Sequence, residues 1–161
     1  MKYLPFEHLI YKTNLSEQEV LVRIAGFIDK KKIRIFRNNI TKEYEGIIDG
    51  NCFEINRIIK GRNSFQPQIS GEIQQNNYET QIEIKMRLHW SVFIFLLFWC
   101  IFILFTLITV FTNAEKVSAE SFFPVLMLFV AYLFTMFGFK IESKKSKKDL
   151  EKMFEAKIIK E

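Results

Sequence analysis

Two arginines and an asparagine, Arg57, Arg62 and Asn63, are the residues whose types and spacing best suit binding chemistry. They fall at the end of a predicted strand and in the irregular segment after it. A guanidinium presents several donors in a fixed fork, so two of them beside a turn can hold a phosphate or a carboxylate. The structural alternative is that Arg57 is a solvated strand residue and that Arg62 and Asn63 support a turn, with pairing to Glu54, Glu72 or another local acid.

The other chemically active side chains predict no catalytic residue, no metal site and no cofactor. His8 and His89 are the only histidines, and neither has cysteines or carboxylates at ligand spacing, whereas zinc sites recruit three or four protein ligands. Cys52 has no neighbouring base to activate its thiol. We interpret Cys52 and Cys100 as free thiols of a reducing compartment. The sequence leaves an enzymatic function open, but no motif argues for one.

A basic tract of five lysines lies within residues 140–148. Each lysine close to an anionic membrane contributes about 1 kcal/mol to binding. Nucleic acid is not an expected partner, because no aromatic residues are interleaved with these lysines. The predicted contacts with the membrane surface are Lys85, Arg87, His89, Trp90, Lys140, Lys144, Lys145, Lys147 and Lys148.

Two long uncharged segments separate this tract from the rest of the chain. Residues 90–111 are 22 residues without a charge, residues 112–120 are a polar break, and residues 121–139 are 19 more uncharged residues. A membrane-spanning helix needs about 20 mostly apolar residues. The pattern predicts a two-helix transmembrane hairpin, and the lack of charged residues in its two helices argues against a transport path.

The charges around the hairpin predict its orientation. Lysine and arginine number 14 before residue 90 and 8 after residue 139, and the hairpin region holds Lys116 alone. Positive residues favour the cytoplasmic side. We therefore expect a two-pass protein with both termini in the cytoplasm, an extracytoplasmic turn at 112–120, and one cytoplasmic α+β domain built from residues 1–89 and 140–161.

The soluble residues predict an antiparallel sheet with an N-terminal and a C-terminal helix. Ser16 and Glu19 form a capping box before the first helical stripe, and alternating residues predict strands at 6–13, 33–37, 43–48, 52–59, 68–74 and 79–89. Alternation of apolar and charged residues predicts a last strand at 138–143, followed by a short helix. We expect strands 79–89 and 138–143 to pair, with the transmembrane hairpin inserted between these last two strands.

Two resemblances follow from these features. The order strand, helix, antiparallel strands, C-terminal helix resembles the helix-grip fold of the START and polyketide-cyclase-like superfamily, which implies a curved sheet around a cavity. The segments Gly46 to Gly50, Phe53 to Ile59 and Arg62 to Pro67, with Met86 to His89 before the hairpin, resemble a group of small bacterial membrane proteins. That likeness implies a bacterial inner-membrane location and transfers no functional residue.

Three classes of function remain open from the sequence. The first is a cytoplasmic binding or regulatory module, anchored at the inner membrane, that recognises a protein partner or a lipid-like ligand. The second is an accessory, assembly or immunity-type subunit whose hairpin binds a larger membrane complex. The third is a lipid-modifying enzyme, which rests on fold analogy alone. The expected partners are membrane lipids and either a protein partner or further copies of this chain in the membrane.

Overall fold

The structure is a computed structural model that describes residues 4–30, 42–59, 63–76, 79–113 and 122–160. These residues form seven strands and three helices, which confirms the α+β class. In chain order they are β1 (Phe6–Thr13), α1 (Glu17–Phe27), β2 (Ile28–Lys30), β3 (Tyr44–Asp49), β4 (Cys52–Arg57), β5 (Pro67–Asn76), β6 (Glu79–Leu88), α2 (Trp90–Asn113), α3 (Phe123–Phe154) and β7 (Lys157–Lys160).

All seven strands belong to one sheet with the order β2-β3-β4-β5-β6-β1-β7. The short β2 runs parallel to β3, and every other neighbouring pair is antiparallel. The turn between β3 and β4 contains Gly50 at φ +55°, a left-handed conformation that glycine adopts without strain. The Asp49-Gly50 pair, a strong sequence signal for a tight turn, therefore lies in the turn that joins these two antiparallel strands.

Helix α1 begins where the sequence predicts. The Ser16 hydroxyl accepts a hydrogen bond from the Glu19 amide at 3.3 Å, and the Ser16 amide donates to the Glu19 carboxylate at 2.8 Å. This reciprocal pair satisfies two of the donors that a helix start leaves without partners. Val20 and Ile24 then bury the inner stripe of the helix against the sheet.

The C-terminal half of α3 covers the same face of the sheet and completes the core. Phe154 is fully buried and lies 5.9 Å from Tyr11 and 6.1 Å from Phe53, measured between ring centroids. Leu150 and Met153 fill the adjoining space. The region between α3 and the centre of the sheet is therefore filled by side chains.

The predicted strand at 138–143 is wrong, because these residues belong to α3. Only four residues, Phe139 to Glu142, carried the alternating pattern. The buried residues that follow, including Ser143, Ser146 and Leu150, recur at helical spacing. A helix keeps its backbone hydrogen bonds by continuing, and no proline interrupts α3 in this region. The second apolar segment and the C-terminal helix are consequently one helix of 32 residues.

The last strand of the chain is β7, which the sequence did not predict. Chain order puts α2 and α3 between β6 and β7, but these strands are not neighbours, since β1 pairs with both. The predicted pairing of residues 79–89 with 138–143 is wrong for the same reason, because β6 lies between β5 and β1. The predicted strand at 33–37 lies outside the described residues.

Helices α2 and α3 are each long and apolar enough to cross a membrane. Their most apolar stretches are only 6% and 17% buried, unlike the core helix of a soluble protein, which is mostly buried. The far ends of the two helices meet at Phe111 and Phe122, whose ring centroids are 6.2 Å apart. We call α2 together with residues 123–139 of α3 the helix pair.

The three threonines of α2 donate their hydroxyls to carbonyls three or four residues earlier, which keeps these hydroxyls hydrogen-bonded in an apolar setting.

Candidate functional site

A buried carboxylate joins the sheet to α3 where that helix leaves the helix pair. Glu7 of β1 is 9% exposed. It contacts Lys140 at 2.7 Å and Lys147 at 3.0 Å, and it accepts a short hydrogen bond from the Ser143 hydroxyl. Residues 140, 143 and 147 lie on one face of α3 because they are separated by one and two helical turns. We call these four residues the Glu7 clamp.

The ionisation of Glu7 follows from these contacts. Desolvation by burial acts to raise the pKa of the carboxyl. The hydrogen bonds from Lys140, Ser143 and Lys147 together outweigh it and hold the pKa below its ordinary value of 4.5. The charged form is therefore stabilised, as expected of a structural ion pair. The sequence contained a signal for this role, because Glu7 has the same inward parity as Leu9 and Tyr11 on β1.

A second polar contact joins α3 to strands β3 and β4, at the other end of the sheet from β1, and involves Arg57. The Tyr44 hydroxyl donates to Asp149 at 2.9 Å, and the Arg57 guanidinium lies 3.7 Å from the same carboxylate. Burial, followed by the nearby Asp149 charge, raises the pKa of the Tyr44 hydroxyl. Arg57 thus pairs with an acid, and the acid is distant in sequence.

Asn63 organises a turn in the connection between β4 and β5. Its carboxamide oxygen accepts from the Phe65 amide at 3.1 Å, and its carbonyl accepts from the Gln66 amide at 3.3 Å. Gln66 in turn donates its side-chain amide to the Arg57 carbonyl. No contact within the described residues brings the Arg57 guanidinium to Asn63, and Arg62 lies outside those residues. The three-residue anion fork therefore stays a prediction.

The predicted membrane-surface residues take several different positions. Lys85 lies 2.9 Å from Glu83, His89 is 2.7 Å from the Ser91 hydroxyl, and Trp90 is 65% exposed at the start of α2. Lys145 pairs with Glu142 at 2.8 Å, while Lys140 and Lys147 belong to the Glu7 clamp. The exposed members of the set are Lys85, Arg87, Trp90, Lys144, Lys145 and Lys148.

The helix pair encloses a trough that begins beside the turn at Asn63. The cleft nearest the sheet has a volume of about 550 Å³, and an adjoining cleft of about 480 Å³ shares Phe95, Leu96 and Ala131 with it. One end carries residues from the β4–β5 connection and the start of α2, which we call the lip: Asn63, Ser64, Phe65 and Ser91. The remaining walls come from the two helices: Val92, Phe95, Leu96, Trp99, Phe123, Leu126, Met127, Val130, Ala131, Phe134 and Thr135.

Phe65 attaches the lip to the helix pair. A Cβ atom built on Gly138 would lie 2.6 Å from Cγ of Phe65, so the absence of a side chain at 138 lets the ring reach the helix backbone. The loop is therefore packed against α3 close to Lys140. The sequence suggested Asn63 as part of a site but missed Phe65 and Gly138, because nothing local indicates that residues 73 positions apart meet.

No group of three His, Cys, Asp or Glu side chains that could hold a metal ion occurs in the part of the chain that the structure describes. Cys52 is exposed and Cys100 is partly exposed on α2, and both are free thiols. Comparisons with protein-family models, curated proteins and solved structures return no match.

Proposed function

We propose that this chain is a two-pass protein of the bacterial inner membrane, and that it is a membrane-anchored binding or regulatory module. In this proposal residues 1–89 and 140–161 form a cytoplasmic domain, and both termini are cytoplasmic. The module recognises a lipid-like ligand or a protein partner at the boundary between membrane and cytoplasm. Trp90 and Lys140 mark that boundary, in keeping with the preference of tryptophan and lysine for the headgroup region.

The observation that carries the proposal is the composition of the trough. Its walls belong to the helix pair and its lip belongs largely to the sheet domain. A ligand in the trough would touch both parts of the molecule, so its binding can be sensed by the domain. Apolar walls with a few polar groups at one end are typical of sites for small ligands, whose volumes run from about 300 to 1,000 Å³.

The Glu7 clamp supports the same proposal. Helix α3 passes from the helix pair to the sheet without interruption, and β6 continues into α2 with His89 alone between them. These two covalent connections and the clamp hold the domain at one height above the membrane. A rigidly mounted domain suits recognition at the membrane surface better than a loosely tethered one.

Topology can be tested with the native cysteines. In a Cys100→Ser background, we expect a membrane-impermeant maleimide to label Cys52 in inverted vesicles and not in intact spheroplasts, because the exposed Cys52 belongs to the cytoplasmic domain. A Cys52→Ser, Cys100→Ser chain carrying Ser118→Cys in the predicted outer turn should show the opposite pattern. Labelling of Cys52 from outside would overturn the orientation.

Recognition at the trough can be tested by site-specific photocrosslinking in native membranes. A photoreactive amino acid at position 95, in the trough wall, should give a discrete adduct that Ala131→Phe removes by filling the trough. The matched position is 105, which is 65% exposed on the same helix and does not line the trough. Identical products from both positions, unaffected by Ala131→Phe, would contradict the proposal.

The second candidate, an assembly subunit that binds a larger complex through the helix pair, is favoured by the exposed aromatic surface of α2. Phe98 and Phe105 are 68% and 65% exposed. This candidate expects discrete protein adducts from position 105 and loss of function when an unrelated two-helix hairpin replaces residues 90–139. The enzyme alternative gains no support, because Tyr11, Phe53 and Phe154 fill the space where a helix-grip cavity would lie.

A further inference from the structure

Resting on the proposed function, we infer that the trough binds one acyl chain of a phospholipid from the cytoplasmic leaflet, with the ester region of that lipid hydrogen-bonded at the lip. This names the ligand class of the site. Four features of the trough lead to it: its polarity, its length, its closed end and the absence of charge on the described lip residues.

The polarity of the trough changes along its length as the polarity of a lipid does. The polar side chains Asn63, Ser64 and Ser91 stand at one end. Beyond them the walls are aliphatic or aromatic, apart from Thr135, whose hydroxyl donates to the Ala131 carbonyl at 2.9 Å within its own helix. An acyl chain can bury itself along such a surface without leaving a polar group unsatisfied.

The trough is slightly longer than one acyl chain of a single leaflet. From Thr135 to Phe123 the wall extends along α3 for about 18 Å at 1.5 Å per residue. One leaflet contributes about 15 Å to the hydrocarbon core. A single lipid chain that starts at the lip therefore ends close to the far end of the trough.

The lip closes the cytoplasmic end of the trough, which argues against a transmembrane helix as its occupant. Phe65 lines the trough and packs on Gly138, only two residues before Lys140. A helix that crosses the whole membrane must continue past this level, where the loop stands in its path. Packed transmembrane helices also prefer small residues at the contact, whereas Phe95, Trp99 and Phe134 line the trough. A lipid chain ends at the level of the lip and adapts to irregular walls.

The described lip residues present uncharged donors. The Asn63 carboxamide oxygen is already used by the Phe65 amide, and its NH2 group has no partner in the described structure. The Ser64 hydroxyl likewise has no hydrogen-bond partner among the described residues. The nearby Lys140 is paired with Glu7. Neutral donors match ester carbonyls, which all common glycerophospholipids share. Binding should therefore follow the acyl chain and not the charge of the headgroup.

The test uses the full-length protein in nanodiscs of phosphatidylethanolamine containing a trace of phosphatidylethanolamine with a diazirine near the end of one acyl chain. After illumination and peptide mapping, we expect adducts to concentrate on trough residues such as Trp99 and Met127. Ala131→Phe should lower this labelling by about tenfold, a change equivalent to about 1.4 kcal/mol. The matched variant is Val125→Phe, which adds an aromatic ring to α3 outside the trough, at a residue that is 45% exposed, and should leave labelling unchanged.

Adducts spread evenly around both helices, or equal loss in both variants, would overturn the inference. A second arm keeps the phosphatidylethanolamine matrix and replaces the trace probe by anionic phosphatidylglycerol that carries the same diazirine. Each lysine or arginine at an anionic surface contributes about 1 kcal/mol to binding, so labelling of a charge-selective trough would rise about fivefold per cation. A rise of that size would also overturn the inference. A protein adduct at position 95 that Ala131→Phe removes, without lipid labelling of the trough, would refute the lipid as ligand and leave the proposed function standing.

Discussion

Gly71→Ala should lower the free energy of unfolding of the sheet domain by about 2 to 4 kcal/mol. Gly71 on β5 faces Phe53 on β4, and a Cβ atom there would lie 2.1 Å from Cζ of the Phe53 ring. Phe53 is 2% exposed and lies beside Phe154, so its ring has no free space to enter. The domain must either shift its strands or displace the ring from the core.

The matched control is Gly26→Ala in α1. A Cβ atom at Gly26 meets nothing within 4 Å. Alanine in a helix is favoured over glycine by about 0.5 to 1 kcal/mol, so this variant should be slightly more stable.

Amide hydrogen exchange of β4 and β5 in detergent is the appropriate measurement, because both tryptophans lie in α2 and their fluorescence reports on the helix pair. Unchanged protection in Gly71→Ala would mean that Phe53 does not cover Gly71 as described.

Glu7→Ala should destabilise the domain by about 2 to 4 kcal/mol, because it leaves the Ser143 hydroxyl without its buried acceptor and two lysines without their counter-ion. The cost falls short of that of a fully buried pair, since the Lys140 side chain is 40% exposed and can be hydrated. Pulse proteolysis can measure the effect. The matched control is Glu83→Ala, which removes a partly exposed carboxylate paired with His8 and Lys85 and should cost less than about 1 kcal/mol.

The same clamp should give the wild-type protein an acid sensitivity that Glu7→Ala lacks. The pKa of Glu7 is lowered in the folded protein, so its contribution is fully present above the unfolded value of 4.5 and is lost as pH falls through the lower folded value. The stabilities of wild type and Glu7→Ala should therefore converge below pH 4.5. A constant difference between them through that range would show that the pKa of Glu7 is not lowered in the folded state.

Much of the fold could be predicted because its signals are local. The capping box at Ser16 specifies the start of α1, the Asp49-Gly50 pair specifies a tight turn, and alternating residues specify β6. These features depend on residues within about one turn or one strand of each other. The strand prediction at 138–143 failed because an alternation of only four residues is also compatible with a helix, in which Phe139 and Glu142 are buried and Ile141 is exposed. Only the contacts of α3 with the sheet decide between the two.

Less of the candidate site could be predicted. The residue type of Asn63 suits a binding site, and the turn that it supports is one of the two interpretations that the sequence allows. Predicting the trough would require knowing that Phe65 packs against Gly138. Predicting the partner of Arg57 would require knowing that Asp149, 92 residues further along the chain, lies beside it. Spacing along the chain carries no information about such distant contacts when residues of ordinary type are involved.

The types and spacing of Arg57, Arg62 and Asn63 follow from the sequence, whereas the contacts of Arg57 with Asp149 and of Asn63 with Phe65 follow from the tertiary structure. The sequence by itself determined the apolar length of two helices, the charges around them and the start of α1, because hydropathy, charge and capping act between near neighbours. The tertiary structure alone decided that α3 runs unbroken into the core, that Glu7 joins it to β1, and that a loop of the sheet domain forms one end of a trough between the helices. Those outcomes depend on which surfaces meet when the sheet folds, and side chains far apart in the sequence supply both surfaces.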